Sequence, residues 1–449
     1  MEATEEYYKK MTETPVAKLI ITLGIPTTIS MLITNIYNMV DTYFVGTLGE
    51  SQQAATGILF TLQAIIQAIS FMLGQGSGTM VSKALADKDV KEASTYVSTA
   101  FFTGAILGSV LMTLGLIFIN PLMGVLGSTD TILPYARQYG MWVLISCPFM
   151  VCSFVLNNNL RYEGKAFYAM IGLLAGGIIN IFGDYFLIKV LGKGVWGAGL
   201  ATATSQIISF FILLHFHNKM AQGSIGIKYI SKRKKEYLII SKVGFPALIR
   251  QGLTSISNGL LNNLTKPYGD AAIAAMSVVN RFSSFVMCVG LGIGQGFQPV
   301  ASFNYQAGKY KRVKKGLLVT MGVGFCLISI LALPGFIWAK DIIHVFQKSE
   351  EVKQVGEFAL RCACGGVLFL SLSVPVNMLY QSIRRPGVSS FLSMLRSGLM
   401  FIPTLIITTS LFGITGIQIS QPIADTLTGL ISIPFIVHFL GKNFEEDVV

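Results

Sequence analysis

The chain has 449 residues, of which 52% are hydrophobic and only 12% are charged, and its mean hydropathy is +0.62. Because a soluble domain carries about 25% charged residues, this composition excludes an ordinary soluble protein and indicates helices embedded in lipid. The formal net charge is +12, but the cations cluster in short loops, which favours topology anchors facing anionic lipid over nucleic-acid binding.

Long apolar runs predict an all-α integral membrane protein, since one membrane-spanning helix needs roughly 20 largely apolar residues. Twelve spans are predicted, in chain order: 16–46, 52–81, 94–120, 132–160, 166–190, 195–218, 237–265, 271–304, 314–339, 354–383, 387–411 and 415–440. The polar residues 1–15 and 441–449 are predicted to form the two ends of the chain. The basic segment 219–236 is predicted to link spans 6 and 7.

The loops carry an uneven distribution of positive charge. The connections after even-numbered spans hold 18 Lys and Arg residues when Lys314 and Lys315 at the start of span 9 are included. Those after odd-numbered spans hold seven when Arg137 and Lys189, near the ends of spans 4 and 5, are included. The positive-inside rule therefore predicts that the even-numbered loops, the linker and both termini are cytoplasmic. The expected location is the cell membrane, as a multi-pass and monomeric protein.

The sequence contains an internal duplication. "LGIP" at 23–26 aligns with "VGFP" at 243–246, an offset of 220, and 12 of the 53 aligned pairs between 24–76 and 244–296 are identical. Farther along, "LRYEG" at 160–164 matches "IRRPG" at 383–387, which suggests that the offset drifts to 223. Two parallel copies of six spans predict an N-lobe at 16–218 and a C-lobe at 237–440, with a central substrate cleft and rocking of the lobes.

Polar residues inside the first copy indicate an ion site. Asp41 in span 1 and Asp184 in span 5 are predicted at similar depth, with Asn180 one turn before Asp184 and Thr202 in span 6. A carboxylate at a helix centre costs ~2.5–3.5 kcal/mol on insertion scales. Two nearby carboxylates in a medium of low dielectric constant resist joint ionisation, so a proton or a small hard cation would neutralise them. We therefore predict coupling by H⁺ or by Na⁺, with a possible Na⁺ site at these four residues.

Other residues are candidates for substrate contact or motion. Tyr37 lies one turn before Asp41 on the same helix face, and Asn38 and Tyr139 join it as candidates to line the cleft. Pro26 interrupts span 1, where a proline frees a backbone carbonyl and permits either a passive kink or a moving hinge.

The second copy carries different charges. Leu261 stands at the position of Asp41, while the intramembrane charges of this copy are Arg250, Arg281, Arg396 and Asp425. We interpret them as a structural network of Arg and Asp, with a role in substrate binding as the alternative. The ion site is thus predicted in the N-lobe alone.

The whole pattern resembles the multidrug and toxic compound extrusion (MATE) family. The resemblance rests on the two six-span halves, "GIPT" in span 1, Asp41, the Asn180–Asp184 spacing, the basic linker and "GQGFQPVASFNYQAG" at 294–308. It implies drug efflux, with cationic and aromatic compounds exchanged for H⁺ or Na⁺, and ion ligands on the four N-lobe residues named above. Gln295 of that motif is a further candidate for the cleft.

Two alternatives remain at this stage. A lipid-linked oligosaccharide flippase of the same superfamily would use Arg250, Arg281 and Arg396 for pyrophosphate. An intramembrane enzyme has less support, because the four histidines show no metal spacing and no nucleophile–base pair emerges. No glycine-rich phosphate-binding loop precedes a helix, which argues against an ATP-driven pump. No catalytic residue and no cofactor are predicted.

Overall fold

The computed structural model describes residues 2–346 and 350–442, so most of the predicted tail at 441–449 lies outside it. The described residues form helices and turns without a β-strand, which confirms the all-α fold. The α-helices are α1 Glu2–Glu13, α2 Val16–Gly46, α3 Glu50–Ala86, α4 Val90–Ile117, α5 Ile119–Val125, α6 Leu133–Tyr162, α7 Ala166–Asp184, α8 Gly194–Met220, α9 Lys234–Thr265, α10 Asp270–Gln306, α11 Tyr310–Ile337, α12 Ala339–Phe346, α13 Glu350–Gly366, α14 Leu370–Ser382, α15 Pro386–Met394, α16 Phe401–Phe412 and α17 Ile414–Gly441.

The twelve predicted spans all correspond to helical segments. Within the described residues, eleven segments are long and apolar enough to cross a membrane. Three of them continue through a short turn of another type: π-helices extend α7 at Tyr185–Val190 and join α15 to α16 at Leu395–Met400, and a 3₁₀ turn at Val367–Phe369 joins α13 to α14. The twelfth predicted span is α9, which has 32 residues but a more polar sequence than the others. The sequence therefore located every span to within a few residues.

Three helices were not predicted. The polar segment at 1–15 contains α1, in which Tyr7 and Met11 are buried. The short helices α5 and α12 follow the third span of each copy, and their first residues, Ile119 and Ala339, occupy equivalent positions in the duplication. A helix of seven or eight residues is too short to leave a clear periodic pattern in a sequence.

The duplication keeps one register along the chain, so the predicted drift of the offset to 223 is wrong. Helices α6 and α14 end at Tyr162 and Ser382, and the helices that follow them begin at 166 and 386, which preserves the offset of 220. Gly164, with φ 71°, occupies the same backbone position as Arg384, with φ 59°, although only glycine adopts this conformation readily. The match of "LRYEG" to "IRRPG" pairs Gly164 with Gly387 because it follows residue identity rather than the position of this turn.

The structure divides the chain into two compact units at points that differ from the predicted lobes. Unit 1 contains the chain up to Tyr8 and Ile29–Gln251, and unit 2 contains Lys9–Thr28 and the chain from Gly252 onward. The first part of α2 thus belongs with the second copy, and the first part of α9 belongs with the first copy. The predicted boundaries at 218 and 237 followed the connecting loop, which is not where the packing changes.

Duplicated glycines explain this division. In unit 2, a Cβ added at Gly296 would lie 2.4 Å from the Cα of Gly24, so α2 and α10 touch through their backbones. In unit 1, a Cβ added at Gly244 would lie 1.8 Å from the carbonyl oxygen of Met72, so α9 and α3 touch in the same way. Small residues permit such close helix contacts in membranes. Gly24 and Gly244 are equivalent in the duplication, and each packs on α-helix residues of the opposite copy.

The linker begins against a buried carboxylate of unit 1. Glu163, at the end of α6, accepts hydrogen bonds from the backbone N–H groups of Gln222 and Gly223. Burial raises the pKa of Glu163 to about 7, although these two bonds and the charge of Lys165 oppose the rise. Ser98 of α4 holds the next residues, accepting from Gly226 and donating to the carbonyl of Ser224, at 3.1 Å each. The segment after α8 is therefore anchored to unit 1.

Candidate ion-coupling site

Side chains from four helices of unit 1 are joined by a chain of hydrogen bonds. The hydroxyl of Tyr139 on α6 donates to Oδ2 of Asp41 on α2 at 2.7 Å, and it lies 3.1 Å from the hydroxyl of Thr202 on α8. Nδ2 of Asn180 on α7 donates to the same Thr202 hydroxyl at 3.2 Å. Asp41, Asn180 and Thr202, which the sequence predicted as one site, thus lie within a single network, with Tyr139 at its centre.

Asp184 completes this group. The residue is 0% exposed, and its carboxyl group is close enough to that of Asp41 for the two charges to repel each other. Among the described residues, no donor forms a hydrogen bond with either carboxylate oxygen of Asp184, with Oδ1 of Asp41 or with Oδ1 of Asn180. Buried acceptors without a donor are rare in folded proteins because each retains its cost of desolvation. These four oxygen atoms are therefore suited to bind a positive ligand.

A small cavity of unit 1 lies beside Asp41, Asn180 and Thr202, and Asp184 is not among its described lining residues. It has room for about one water-sized body, and so it fits a proton-carrying water or a small cation rather than a drug molecule. Its wall is mostly polar: Tyr37, Asn38, Gln63, Gln67, Tyr139, Ser146, Asn180, Thr202 and Gln206 form it together with Asp41, Val143 and Met150.

Several of these lining residues were not predicted from the sequence. Gln63 and Gln67 are one turn apart within an apolar run of α3, a spacing that places both on one helix face. Gln206 lines the same cavity as Tyr37 and follows Thr202 in "LATATSQ". The spacing of these glutamines inside an apolar run is the signal that could have identified them.

Small residues let the four helices approach one another. A Cβ added at Gly177 of α7 would lie 3.2 Å from the Tyr37 ring on α2. One added at Gly199 of α8 would lie 3.1 Å from the Cα of Tyr139 on α6. The π-helix at Tyr185–Val190 begins directly after Asp184, and such π-helical segments are frequent at functional sites. The site is thus assembled on rigid, closely packed helices.

Of the four predicted cleft residues, three belong to unit 1 and Gln295 belongs to unit 2. Tyr37 and Asn38 line the small cavity. Tyr139 lies there too, but it is 2% exposed and its hydroxyl is hydrogen-bonded to Asp41. It therefore contributes to the hydrogen bonding of the acidic pair and does not form part of an open cleft wall. Gln295 is buried on α10 of unit 2, and its contact with substrate stays a prediction.

The predicted hinge residue Pro26 is inside α2, shortly before the point at which the chain passes from unit 2 to unit 1.

The predicted charge network of the C-lobe is reduced to one ion pair. Nε of Arg396 donates to Oδ1 of Asp425 at 2.8 Å, and Nε2 of Gln421 donates to the same oxygen at 2.8 Å. Arg281 is exposed on α10 and is not bonded to this carboxylate. Arg250 falls in unit 1, where its charge acts on Arg161. Its assignment to the C-lobe network was therefore wrong, because α9 changes units along its length.

The acidic pair has no counterpart in the second copy. With the constant offset of 220, Leu261 stands at the position of Asp41 and Thr404 at that of Asp184. Leu261 is buried within the hydrophobic core of unit 2. The arrangement of two buried carboxyl groups, an amide and two hydroxyls is thus specific to unit 1. Chemically, it can bind and release one H⁺ or one small cation that prefers oxygen ligands.

Comparison with known proteins agrees with this architecture. The family model described as MatE matches twice, at residues 26–186 and 246–407, and the two matches begin at equivalent positions of the duplication. The chain belongs to the MatE family. Together the two matches cover more than half of the chain, and each falls on one copy of the duplication, so the resemblance to MATE transporters seen in the sequence is confirmed.

Individual relatives within the MatE family are distant but extend over the full length. The chain is 27% identical to the multidrug export protein MepA of Staphylococcus saprophyticus over 428 residues, which covers 94% of each protein. It is 27% identical to MepA of Staphylococcus aureus over 447 residues, covering 98% of this chain and 97% of the relative. A solved structure described as the outward-facing conformation of a multidrug resistance MATE family transporter matches with a TM-score of 0.90 at 22% identity, covering 96% of this chain and 97% of that one. The MATE fold therefore extends over nearly the entire chain.

Proposed function

We propose that this multi-pass membrane protein is a secondary active multidrug efflux transporter that exports cationic or aromatic small molecules in exchange for H⁺ or Na⁺. Membership of the MatE family and the multidrug export function named for its relatives support the class of transport. The observation that supports ion coupling is the group of buried oxygen atoms on Asp41, Asn180 and Asp184 that have no hydrogen-bond donor among the described residues.

The proposed cycle alternates the charge of the acidic pair. With Asp41 and Asp184 both ionised, the protein waits for an ion from outside. Binding of one H⁺ or Na⁺ neutralises the repulsion between the two carboxylates, and α2 bends near Pro26 as the two halves rock and release the drug. If one net charge moves inward, the membrane potential supplies about 2.3 kcal/mol per 100 mV. This energy sustains a drug gradient of roughly fifty-fold, since about 1.4 kcal/mol corresponds to a factor of ten.

The proposal includes an orientation in the membrane. Both termini and the linker at 219–236 are placed in the cytoplasm of a monomer in the cell membrane, on the strength of the 18-to-7 distribution of positive charge. A cysteine introduced at Lys232 should resist a membrane-impermeant thiol reagent applied to intact cells. Efficient labelling from outside would reverse the orientation.

The flippase alternative has less support than efflux. It needs a cluster of arginines for a pyrophosphate group, but the charge of Arg396 is already paired with Asp425. No described feature favours a pyrophosphate site over an ion site. Binding of a lipid pyrophosphate, tested beside binding of a cationic dye to purified protein, separates the two functions.

A transport assay with separate gradients tests the proposal. Purified protein is reconstituted in vesicles loaded with a fluorescent cationic dye, and a pH gradient or a Na⁺ gradient is imposed alone. One of the two gradients should drive dye movement against its concentration, which also identifies the ion. Dye movement that ignores both gradients would refute ion-coupled efflux.

A further inference from the structure

A second cavity lies in unit 2, at the ends of α10, α14 and α17. Its volume is about 390 Å³, which is within the range of small-molecule sites. It is walled by the aromatic side chains of Tyr305, Tyr380, Phe435 and Phe439 and rimmed by cationic or ring N–H groups. We call this cavity, which Arg385 borders on one side, the Arg385 groove. It is far along the helices from the positions equivalent to the ion site.

The aromatic wall of the Arg385 groove is held in place by its own contacts. The hydroxyl of Tyr380 donates to the carbonyl of Phe435 at 3.1 Å. The Tyr380 ring meets those of Phe435 and Phe439 edge to face, with centroids 6.0 and 6.4 Å apart. Tyr380 and Phe439 are buried. The groove is therefore a preformed feature of unit 2 rather than a gap between flexible side chains.

The rim of the groove is positive. Arg385, His438 and Lys442 are all exposed, and no Asp or Glu occurs among the described lining residues. Arg385 and Lys442 supply full charges, and the imidazole of His438 supplies a ring N–H donor when neutral. Nζ of Lys314 donates to the carbonyls of Leu440 and Lys442, at 2.8 Å each, and so fixes the end of α17 beside the groove.

The first copy of the duplication carries different residues at two equivalent positions. Its residues equivalent to Ile383 and Lys442 are Glu163 and Gln222, and the Glu163 carboxylate binds the backbone N–H of Gln222. The chain after α8 thus covers the equivalent position through an acidic side chain. In the second copy the acid is replaced by apolar Ile383, which lines the groove together with the aromatic side chains.

We propose that the Arg385 groove binds the phosphodiester head group of an anionic membrane phospholipid. Arg385 and Lys442 hold the phosphate, and the aromatic wall receives the glycerol and the first acyl carbons. Aromatic and basic side chains are concentrated where helices leave a membrane. On the proposed cytoplasmic side, basic pockets between helices bind anionic head groups.

Native mass spectrometry of the full chain, released from micelles that contain a defined lipid, tests this proposal. Phosphatidylglycerol is titrated against phosphatidylcholine with the same acyl chains, because both carry a phosphodiester but only the first is anionic. The test variant is Arg385→Gln with Lys442→Gln. The matched control is Lys165→Gln with Lys219→Gln, which removes two charges from the corresponding helix ends of the first copy.

One phosphatidylglycerol molecule should be retained, and the test variant should bind it at least tenfold more weakly, since two basic groups near an anionic surface account for roughly 25-fold in affinity. The control should change affinity less than twofold. Equal losses in both variants, equal retention of the two lipids, or displacement by millimolar inorganic phosphate alone would overturn the proposal. So would binding that appears only after removal of residues 443–449, because the acidic residues Glu445, Glu446 and Asp447 would then be the natural occupant.

Discussion

Replacing Asp425 by asparagine should destabilise the protein without uncoupling it. The side chain of Asp425 is 1% exposed and that of Arg396 is 17% exposed, and they form a 2.8 Å ion pair. Asparagine can still accept from Gln421, so the change mainly removes the negative charge that compensates the arginine. Breaking a buried ion pair by removing one partner costs about 3–5 kcal/mol. The unfolding free energy of Asp425→Asn should fall by this amount.

A double variant separates the charge from the loss of contacts. Arg396→Met combined with Asp425→Leu removes both charges, and replacing a whole buried pair by apolar residues is often neutral. The double variant should therefore recover most of the stability lost in Asp425→Asn, as measured by equilibrium unfolding in mixed micelles. In proteoliposomes, the number of ions that the double variant exchanges per dye molecule should equal that of the wild type. A stable Asp425→Asn protein that no longer couples ion to dye would refute the structural role of this pair.

Three further changes have defined outcomes. Thr202→Ala removes the hydroxyl between Tyr139 and Asn180; it should raise the Na⁺ concentration for half-maximal efflux at least tenfold if Na⁺ is the ion, but alter proton-driven efflux less than threefold, because a proton needs no such ligand. The raised pKa of Glu163 means that the folded state holds its proton up to about pH 7, so about 3 kcal/mol of stability should be lost as pH rises from the unfolded value near 4.5 to about 7; unfolding curves of Glu163→Gln should lack this slope, and an unchanged slope would contradict the assignment. Gly244→Ala should cost about 1–3 kcal/mol by overpacking, whereas Gly252→Ala in the same helix, with no atom within 4 Å of its added Cβ, should be neutral, and equal effects would exclude close packing as the cause.

Most of the fold could be predicted from the sequence because a helix that crosses a lipid bilayer must be largely apolar over roughly 20 residues. Apolar length predicted the spans, and the ungapped match of 24–76 to 244–296 predicted the offset of 220. The division into units was missed because it depends on which helices touch. Gly24 and Gly244 each permit a backbone contact with a helix of the opposite copy, and a sequence does not state the partner of a small residue.

The candidate site was predictable to the extent that charge is rare in lipid. Asp41 and Asp184 stood out because burying a carboxylate is costly, and Asn180 was found through its helical spacing from Asp184. The central place of Tyr139 was not evident, since a tyrosine is common near membrane surfaces and its partner Asp41 is far away in the sequence. Gln63 and Gln67 were overlooked because neutral amides in an apolar run attract less notice than charges do.

Ion-coupled dye movement in the two carboxylate variants tests the central claim most directly. Vesicles containing Asp41→Asn or Asp184→Asn are supplied with the gradient that drives the wild type, and dye export and ion entry are recorded together. Asp130→Asn, which alters an exposed loop carboxylate, is the control and should behave as wild type. We expect both site variants to insert normally and to lose dye export and dye-dependent ion entry. Export against a gradient by both variants would show that the coupling ion binds elsewhere.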